Sequence, residues 1–261
     1  MHILGIRLEL LSRDEAQAAI EEQLLRLAGG LYVITTVNSE CIALASRDTS
    51  YREIINAASL NVVDGAGIAW MARLRGYKAV ERLPGADLVY DLARLCQHHR
   101  QRLFLLGATP KVARTARERL QDMYPGLEVD TYSPPLLGEE GSWTPEEEMA
   151  LFRRLEAFSP RVVCVALGMP KQERWIHRHR QRLQDAGVRI AIGVGGALDY
   201  VAGTVPRAPS WMRTAGLEWL YRLARQPRRR FRRQATRLPR FLLLASLEVI
   251  RCRLGAKREG P

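Results

Sequence analysis

Residues 60–67, with the sequence LNVVDGAG, combine an apolar run with a carboxylate and two glycines. The apolar run predicts a buried strand, and a helix-like pattern follows from Ile68 to Leu74. Asp64 would then lie where a strand of a parallel sheet ends, beside glycines that let a ligand approach the backbone closely. A carboxylate in such a crevice can act as a general base. The alternative is that Asp64 caps the helix that follows it.

Thr36 and Asn38 occupy a similar position on the preceding strand, which β-branched residues predict from Tyr32 to Thr36. A helix is predicted to begin at Ser39. Because the carboxyl ends of parallel strands meet at one edge of a sheet, we expect Thr36, Asn38 and Asp64 to share one rim.

Strands alternate with helices over about 190 residues, which predicts an α/β fold. We expect a Rossmann-like, mainly parallel sheet with helices on both faces, together with a basic C-terminal helical appendage. His2 to Leu10 is predicted to be one strand, and Ser12 with Glu15 forms a capping box that opens a helix to about Ala28. The later strands are predicted at Arg102 to Leu106, Leu127 to Tyr132, Arg161 to Leu167 and Arg189 to Ile192.

The positive charge is concentrated at the C-terminal end of the chain. The net charge is +12, and residues 201–261 hold 15 Lys and Arg against three Glu, whereas residues 1–200 hold 25 basic and 25 acidic residues. This asymmetry predicts an α/β catalytic domain at residues 1–200 and a basic, membrane-binding appendage at residues 201–261.

The C-terminal appendage, residues 201–261, is predicted to form helices separated by prolines. A helix from Trp211 to Arg225 should end at Pro227, and Pro239 should separate an arginine-rich segment from Phe241 to Ile250. The last segment is too short to span a bilayer but suits an anionic lipid surface. Solvated basic helices packed on the body, or a nucleic-acid arm, are the alternatives. We expect no nucleic acid, because few aromatic residues are available to stack on bases.

Four cysteines lie far apart and form no Cys-x-x-Cys pair, which favours reduced, structural thiols in a cytosolic compartment. The first ten residues, MHILGIRLEL, have neither the basic flank nor the long apolar stretch of a signal peptide. We therefore expect a peripheral protein that meets the membrane from its cytoplasmic side. Whether it forms a homo-oligomer stays open.

A set of short motifs along the chain resembles the WecG/TagA/CpsF family of bacterial cell-envelope glycosyltransferases, glycosyltransferase family 26. The motifs occur in the order of the family and cover roughly residues 30 to 235. They are Thr36-x-Asn38-x-Glu40, Val63-Asp64-Gly65-x-Gly67, Arg82-x-x-Gly85-x-Asp87-Leu88, Gly168-x-Pro170-x-Gln172-Glu173-x-Trp175, Gly193-Val194-Gly195 and Arg207-Ala208-Pro209, followed by the run from Leu217 to Leu223.

The resemblance implies transfer of a sugar, often N-acetylmannosamine or its uronic acid, from a UDP donor to a polyprenyl-diphosphate-linked acceptor. Some relatives use glucose donors. It also implies an inverting mechanism without a metal or other cofactor. By the same resemblance Asp64 is the general base, with Thr36 and Asn38 beside it. The positions implied for substrate binding are Arg82, Gln172, Gly168, Gly193, Gly195, Arg207, Arg222, Arg229 and Arg232.

The residues themselves are compatible with this chemistry. The leaving UDP needs its negative charge stabilised, and the sequence contains no Asp-x-Asp to hold a metal. Arginines that fork onto phosphate oxygens can serve instead. Asp87 and Asp199 are second choices for the base. Gln172 could instead contact only backbone, Glu173 could be structural, and the glycines near Gly195 could serve helix-sheet packing.

Two other classes of function remain. One is a nucleotide-dependent oxidoreductase, but the first βα turn lacks Gly-x-Gly-x-x-Gly. The other is a non-catalytic peripheral protein that binds nucleotide or lipid, which leaves the polar strand ends unexplained. Binding of a UDP-sugar by the body would argue against both, and binding of NAD would favour the oxidoreductase.

Overall fold

The computed structural model describes residues 1–27, 29–77, 80–134, 143–225 and 227–256. The side chains of Arg222 and of residues 227–234 and 250–256 lie outside the described part. Two other predicted features lie outside the described residues. They are most of the loop predicted from Ser133 to Trp143, and Ala28, the predicted end of the first helix.

Six parallel strands form the central sheet, in the order β4-β3-β8-β7-β5-β6. The parallel sheet confirms the predicted α/β, Rossmann-like class, and each predicted strand of the body from Tyr32 onward is present. Their bounds are β3 Tyr32–Val37, β4 Leu60–Val63, β5 Leu103–Gly107, β6 Val129–Tyr132, β7 Val162–Ala166 and β8 Ile190–Gly193.

Helices cover both faces of the sheet, because successive strand residues point to opposite sides. Leu105 and Cys164 pack on one side with α1, α5, α6 and α10, and Phe104 and Val163 pack on the other with α7, α8 and α9. The helices are α1 Arg13–Leu25, α2 Ser39–Ala45, α3 Thr49–Asn56, α4 Ala66–Leu74, α5 Gly85–His98, α6 Pro110–Met123, α7 Pro145–Phe158, α8 Lys171–Arg178, α9 Arg180–Asp185, α10 Ala197–Val201, α11 Ser210–Thr214, α12 Glu218–Arg225 and α13 Pro227–Ala256.

The N-terminal segment differs from the prediction. The single strand from His2 to Leu10 is wrong: β1 (His2–Ile3) and β2 (Ile6–Arg7) form a small antiparallel hairpin. Leu4 and Gly5 have φ values of 50° and 79°, as the two central residues of a tight hairpin turn require. Alternating apolar residues fit one strand or two, so the pattern alone missed the turn. The predicted capping box at the start of α1 is confirmed.

The helix predicted from Trp211 to Arg225 is wrong as one element, since Gly216 separates α11 from α12. Gly216 has a φ of 75°, which favours glycine, and a Cβ there would lie 2.4 Å from the Cβ of Ala66. The backbone of the appendage therefore touches the first residue of α4, which no local sequence pattern indicates.

The break predicted at Pro239 is also wrong, because Pro239 lies inside the 30-residue helix α13. A proline inside a helix removes one backbone hydrogen bond and crowds the preceding turn. Tertiary packing offsets this cost, since Phe241 and Ala245 are buried against α2 and α4 in the same apolar cluster as Ile42 and Ile68. The arginine-rich segment and the segment from Phe241 to Ile250 are consequently one helix.

Candidate active site

A cavity of about 470 Å³ lies at the carboxyl ends of β3, β4 and β8. Its volume is in the range of small-molecule sites. The body contributes Thr36, Asn38, Ser39, Glu40, Asp64, Gly65, Ala66, Gly67, Arg82, Pro84, Gly85, Ala86, Val194, Ala197 and Tyr200. The appendage contributes Gly216, Glu218, Trp219, Leu238, Phe241 and Leu242.

Three of the residues expected at one rim line this cavity together: Thr36, Asn38 and Asp64. The strand register explains why, since Val37 pairs with Val63 and the next residues along the two chains are Asn38 and Asp64. Asn38 also caps α2, because its Oδ1 accepts hydrogen bonds from the backbone N–H groups of two α2 residues at 3.0 and 3.1 Å. The cap fixes the orientation of the Asn38 side chain at the cavity wall.

Asp64 is not the cap of the helix that follows it. The N-cap of α4 is Gly65, and among the described residues no side chain makes a cap hydrogen bond there. Gly65 permits a close approach, since a Cβ would lie 3.0 Å from the Cα and Cβ of Asn38. The other candidate bases are placed differently: Asp87 forms an ion pair with Arg207, and Asp199 is not among the lining residues.

Arg82 lies in a loop that is held to the end of β4, because the Leu83 N–H donates to the Val63 carbonyl at 2.7 Å. Arg82 lines the cavity, and its Nη2 donates to the Arg213 carbonyl at 2.5 Å. Arg82 therefore joins the body to α11 of the appendage at the cavity wall.

The appendage forms an apolar side of the cavity with Trp219, Leu238, Phe241 and Leu242. It is held by polar contacts as well, since Arg237 pairs with Glu40 at 3.0 Å. The body contributes the polar residues Thr36, Asn38, Asp64 and Arg82. The appendage therefore adds most of the large apolar side chains of the cavity, together with Glu218 of α12.

Gln172 lies beneath this rim, outside the lining residues, and is only 2 % exposed. Its Oε1 accepts from the Gly168 N–H at 3.1 Å and from the Gly195 N–H at 2.9 Å. A Cβ at Gly193 would lie 2.6 Å from the Gln172 Nε2, so a glycine is required for the side chain to pass. Gln172 therefore ties the loops after β7 and β8 together through backbone contacts, and Val194 of the second loop lines the cavity.

Glu173 binds the side-chain amide nitrogen of Gln172. Gln172 Nε2 donates to Glu173 Oε1 at 2.7 Å, which orients Gln172 Oε1 toward the two loops. Burial raises the pKa of Glu173 to about 7, and its Oε2 is buried with no hydrogen-bond partner among the described residues. The Glu173 carboxyl group therefore helps to position the two loops, and Glu173 is not among the residues that line the cavity.

Arg207 lies beside the cavity and carries unused hydrogen-bond donors. Its Nη1 donates to Asp87, and its guanidinium lies 5.8 Å from the ring centre of Tyr200. Its Nε and Nη2 are buried without a hydrogen-bond partner in the described part of the chain. Buried donors of this kind are satisfied by a bound anion or water.

The appendage arginines are only partly covered by the structure. The backbone of Arg222 belongs to α12, and the backbones of Arg229 and Arg232 belong to α13. Their side chains lie outside the described residues.

Among the residues that the structure describes, no group of three or more His, Cys, Asp or Glu is placed to hold a metal ion. No helix within the described ranges is long and apolar enough to cross a bilayer. Cys41, Cys96 and Cys164 are buried free thiols, and burial raises the pKa of Cys41 and Cys96 to about 12.

Local sequence patterns do not indicate that Leu238, Phe241 and Leu242 line the cavity. A break at Pro239 assigns Phe241 and Leu242 to a lipid-facing segment and leaves Leu238 at the end of the arginine-rich one. Trp219 belongs to a motif of the resemblance, so its run from Leu217 to Leu223 was a usable signal.

The fold and the cavity are those of an α/β enzyme, with the site at the carboxyl ends of the strands. A family model described as the glycosyl transferase WecG/TagA/CpsF family matches residues 1–257. The chain belongs to this family of glycosyltransferases, which confirms the resemblance read from the motifs.

Two relatives carry the same descriptive name, N-acetylglucosaminyldiphosphoundecaprenol N-acetyl-beta-D-mannosaminyltransferase. The protein from Bacillus subtilis (strain 168) is 32% identical over 195 residues, which are 75% of this chain and 72% of the relative. The protein from Staphylococcus aureus (strain MRSA252) is 32% identical over 189 residues, 72% of this chain and 70% of the relative.

Proposed function

We propose that this chain transfers N-acetylmannosamine from a UDP donor to a polyprenyl-diphosphate-linked GlcNAc acceptor, with inversion and without a metal. The observation that carries the proposal is the cavity, in which Asp64 stands at a strand end and the appendage contributes Trp219 and Phe241. The names of the relatives support the acceptor and the sugar. Transfer of glucose or of N-acetylmannosamine uronate is the alternative within the family.

Asp64 acts as the general base in this proposal. It takes the proton of the attacking acceptor hydroxyl, while the bond from the sugar to UDP breaks on the opposite face of the anomeric carbon. Thr36 and Asn38 stand beside it in the cavity and can orient the sugar hydroxyl groups. Thr36 is fixed by a long contact of its Oγ1 with the Gly193 carbonyl, at 3.4 Å.

The leaving UDP carries the negative charge that develops during transfer. Arg82 lines the cavity, and Arg207 has two buried donors beside it. Arginine forks stabilise phosphate oxygens by charge-assisted hydrogen bonds. In this proposal they bind the diphosphate, together with Arg222, Arg229 and Arg232. Gln172, Gly168, Gly193 and Gly195 contribute by setting the loops around the site.

The basic appendage binds the anionic cytoplasmic surface of the bacterial inner membrane in this proposal, as a peripheral attachment. Fifteen basic residues against three acidic ones at residues 201–261 give the attraction. The domain division at residue 200 belongs to the same proposal, since Gly216, α12 and α13 complete the cavity from outside the sheet.

The experiment is UDP release from a panel of UDP-sugars, with a short-chain polyprenyl-diphosphate-GlcNAc acceptor that is water-soluble, in the presence of a chelator. Release that requires both N-acetylmannosamine donor and acceptor is the expected result. Release only with a glucose or uronate donor would assign that sugar to the enzyme in place of N-acetylmannosamine. No release with any donor, for a protein shown to be folded, would contradict the transferase.

A further inference from the structure

α4 carries exposed apolar residues on its outer face, in addition to the apolar residues that its inner face buries in the body. Ile68, Ala69, Met71 and Ala72 are buried. On the opposite side Trp70 is 57 % exposed and Leu74 is 43 % exposed, one helical turn apart. Contiguous exposed apolar residues mark interaction surfaces, so these two residues become informative if neighbouring elements extend the apolar face.

This face lies next to α13. A Cβ at Gly67, near the start of α4, would lie 2.8 Å from the Phe241 ring, and Arg75 at the end of α4 forms an ion pair with Glu248. The two helices therefore run side by side in the same direction. α13 carries its own exposed leucines, Leu243 and Leu247.

The cavity adjoins both helices. Gly67 of α4 and Leu242 of α13 line it, and Leu242 is itself 53 % exposed. A partner that covers the outer faces of the two helices would thus lie close to the cavity.

Charge and residue type indicate which kind of partner binds this surface. The chain segment that contains α13 carries a large excess of arginine, which favours a negatively charged partner. Exposed leucines between arginines are typical of helices that lie in a lipid interface, and tryptophan is enriched at the headgroup level. An anionic bilayer matches the excess of arginine, the exposed leucines and the exposed tryptophan. A second copy of this basic chain would instead bring like charges together.

We propose that Trp70 and Leu74 of the body, with Leu243 and Leu247 of α13, form one surface that docks on an anionic bilayer. The membrane surface then includes part of the α/β body, and the cavity opens beside the lipid headgroups. This placement rests on the proposed function, because it lets a lipid-linked acceptor reach Asp64 while its chain stays in the bilayer.

The test is sedimentation of the full chain with vesicles of phosphatidylcholine alone or mixed with phosphatidylglycerol, without any sugar. The double variant Trp70→Ser/Leu74→Ser should lose about tenfold in affinity for the mixed vesicles. The control is Met123→Ser/Met149→Ser, which removes two side chains of similar exposure, 55 % and 43 %, from other helices of the body. It should bind as the unmodified chain does.

A second variant, Leu243→Ser/Leu247→Ser, should show a comparable loss. Unchanged vesicle affinity of the Trp70/Leu74 variant would overturn the proposal. A change from dimer to monomer in sedimentation velocity with unchanged vesicle affinity would do the same and assign the surface to a second copy. UDP release with the water-soluble acceptor should be equal for all variants, so failure of the docking surface and failure of the transferase are separately visible.

Discussion

The ring of Phe241 packs directly on the backbone of Gly67, close enough that a Cβ at Gly67 would lie 2.8 Å from a ring carbon. The two residues are far apart in the sequence, Gly67 near the start of α4 and Phe241 in the last helix. Their contact seats α13 over the end of β4 and closes the apolar side of the cavity. The glycine of this motif therefore serves the docking of the appendage.

Gly67→Ala should weaken the seat of α13. The ring of Phe241 has to move, and overpacking of this kind costs about 1–3 kcal/mol. We expect a lower Tm and faster proteolysis within α13. Gly30→Ala is the matched control, since the nearest atom to its Cβ would be a side-chain nitrogen at 4.0 Å. Equal Tm values for the two variants would show that the contact carries no stability.

Asp64→Asn should remove the general base while keeping the shape of the side chain. General base catalysis contributes about 10²–10⁴-fold, so kcat should fall by that factor with a small change in KM. The measurement is steady-state UDP release, with Asp199→Asn as the control carboxylate. A large loss in the Asp199 variant with activity retained in the Asp64 variant would reverse the assignment.

Arg207→Lys should raise the KM for the UDP donor by about tenfold, because lysine keeps the charge but loses the fork of donors. The ion pair with Asp87 survives as a point contact, so the fold should be retained. Arg102→Lys is the control, since Arg102 pairs with Glu128 on the exposed surface. An unchanged donor KM in the Arg207 variant would show that Arg207 does not bind the diphosphate.

Glu173→Gln should change the pH dependence of stability. The pKa of Glu173 is raised from 4.5 to about 7 by burial, so between these values the folded state binds more protons than the unfolded state. The free energy of unfolding therefore falls as pH rises through this window, by about 1.4 kcal/mol per pKa unit, and levels off above it. Glutamine stays neutral and still accepts from Gln172, so the variant should lack this decline.

The measurement for Glu173 is urea unfolding at pH 5 and pH 8. Glu118→Gln, at an exposed position of α6, should keep the decline of the unmodified chain. The titration of His179, whose pKa is lowered by burial, is common to all three proteins and cancels in the comparison. Parallel declines in the Glu173 and Glu118 variants would show that Glu173 does not carry the effect.

The central sheet and the polar residues of the site follow from local patterns in the sequence. Apolar runs such as Arg161 to Leu167 are read as buried parallel strands, and the carboxyl ends of such strands meet at one edge. That local logic placed Thr36, Asn38 and Asp64 together, as the cavity confirms. The family motifs, read as an ordered set, determined the class of enzyme.

The position of the appendage, in contrast, depends on contacts between residues that are distant in sequence. Local rules end a helix at Pro239, but burial of Phe241 and Ala245 outweighs the lost hydrogen bond, so α13 continues. The hairpin at Leu4 and Gly5 was hidden because alternation fits one strand or two. The family motifs predict a substrate-binding role for Gln172, and the tertiary structure adds that its amide joins the loops after β7 and β8. These outcomes depend on contacts between residues distant in sequence, and no local pattern encodes which distant atom will be near.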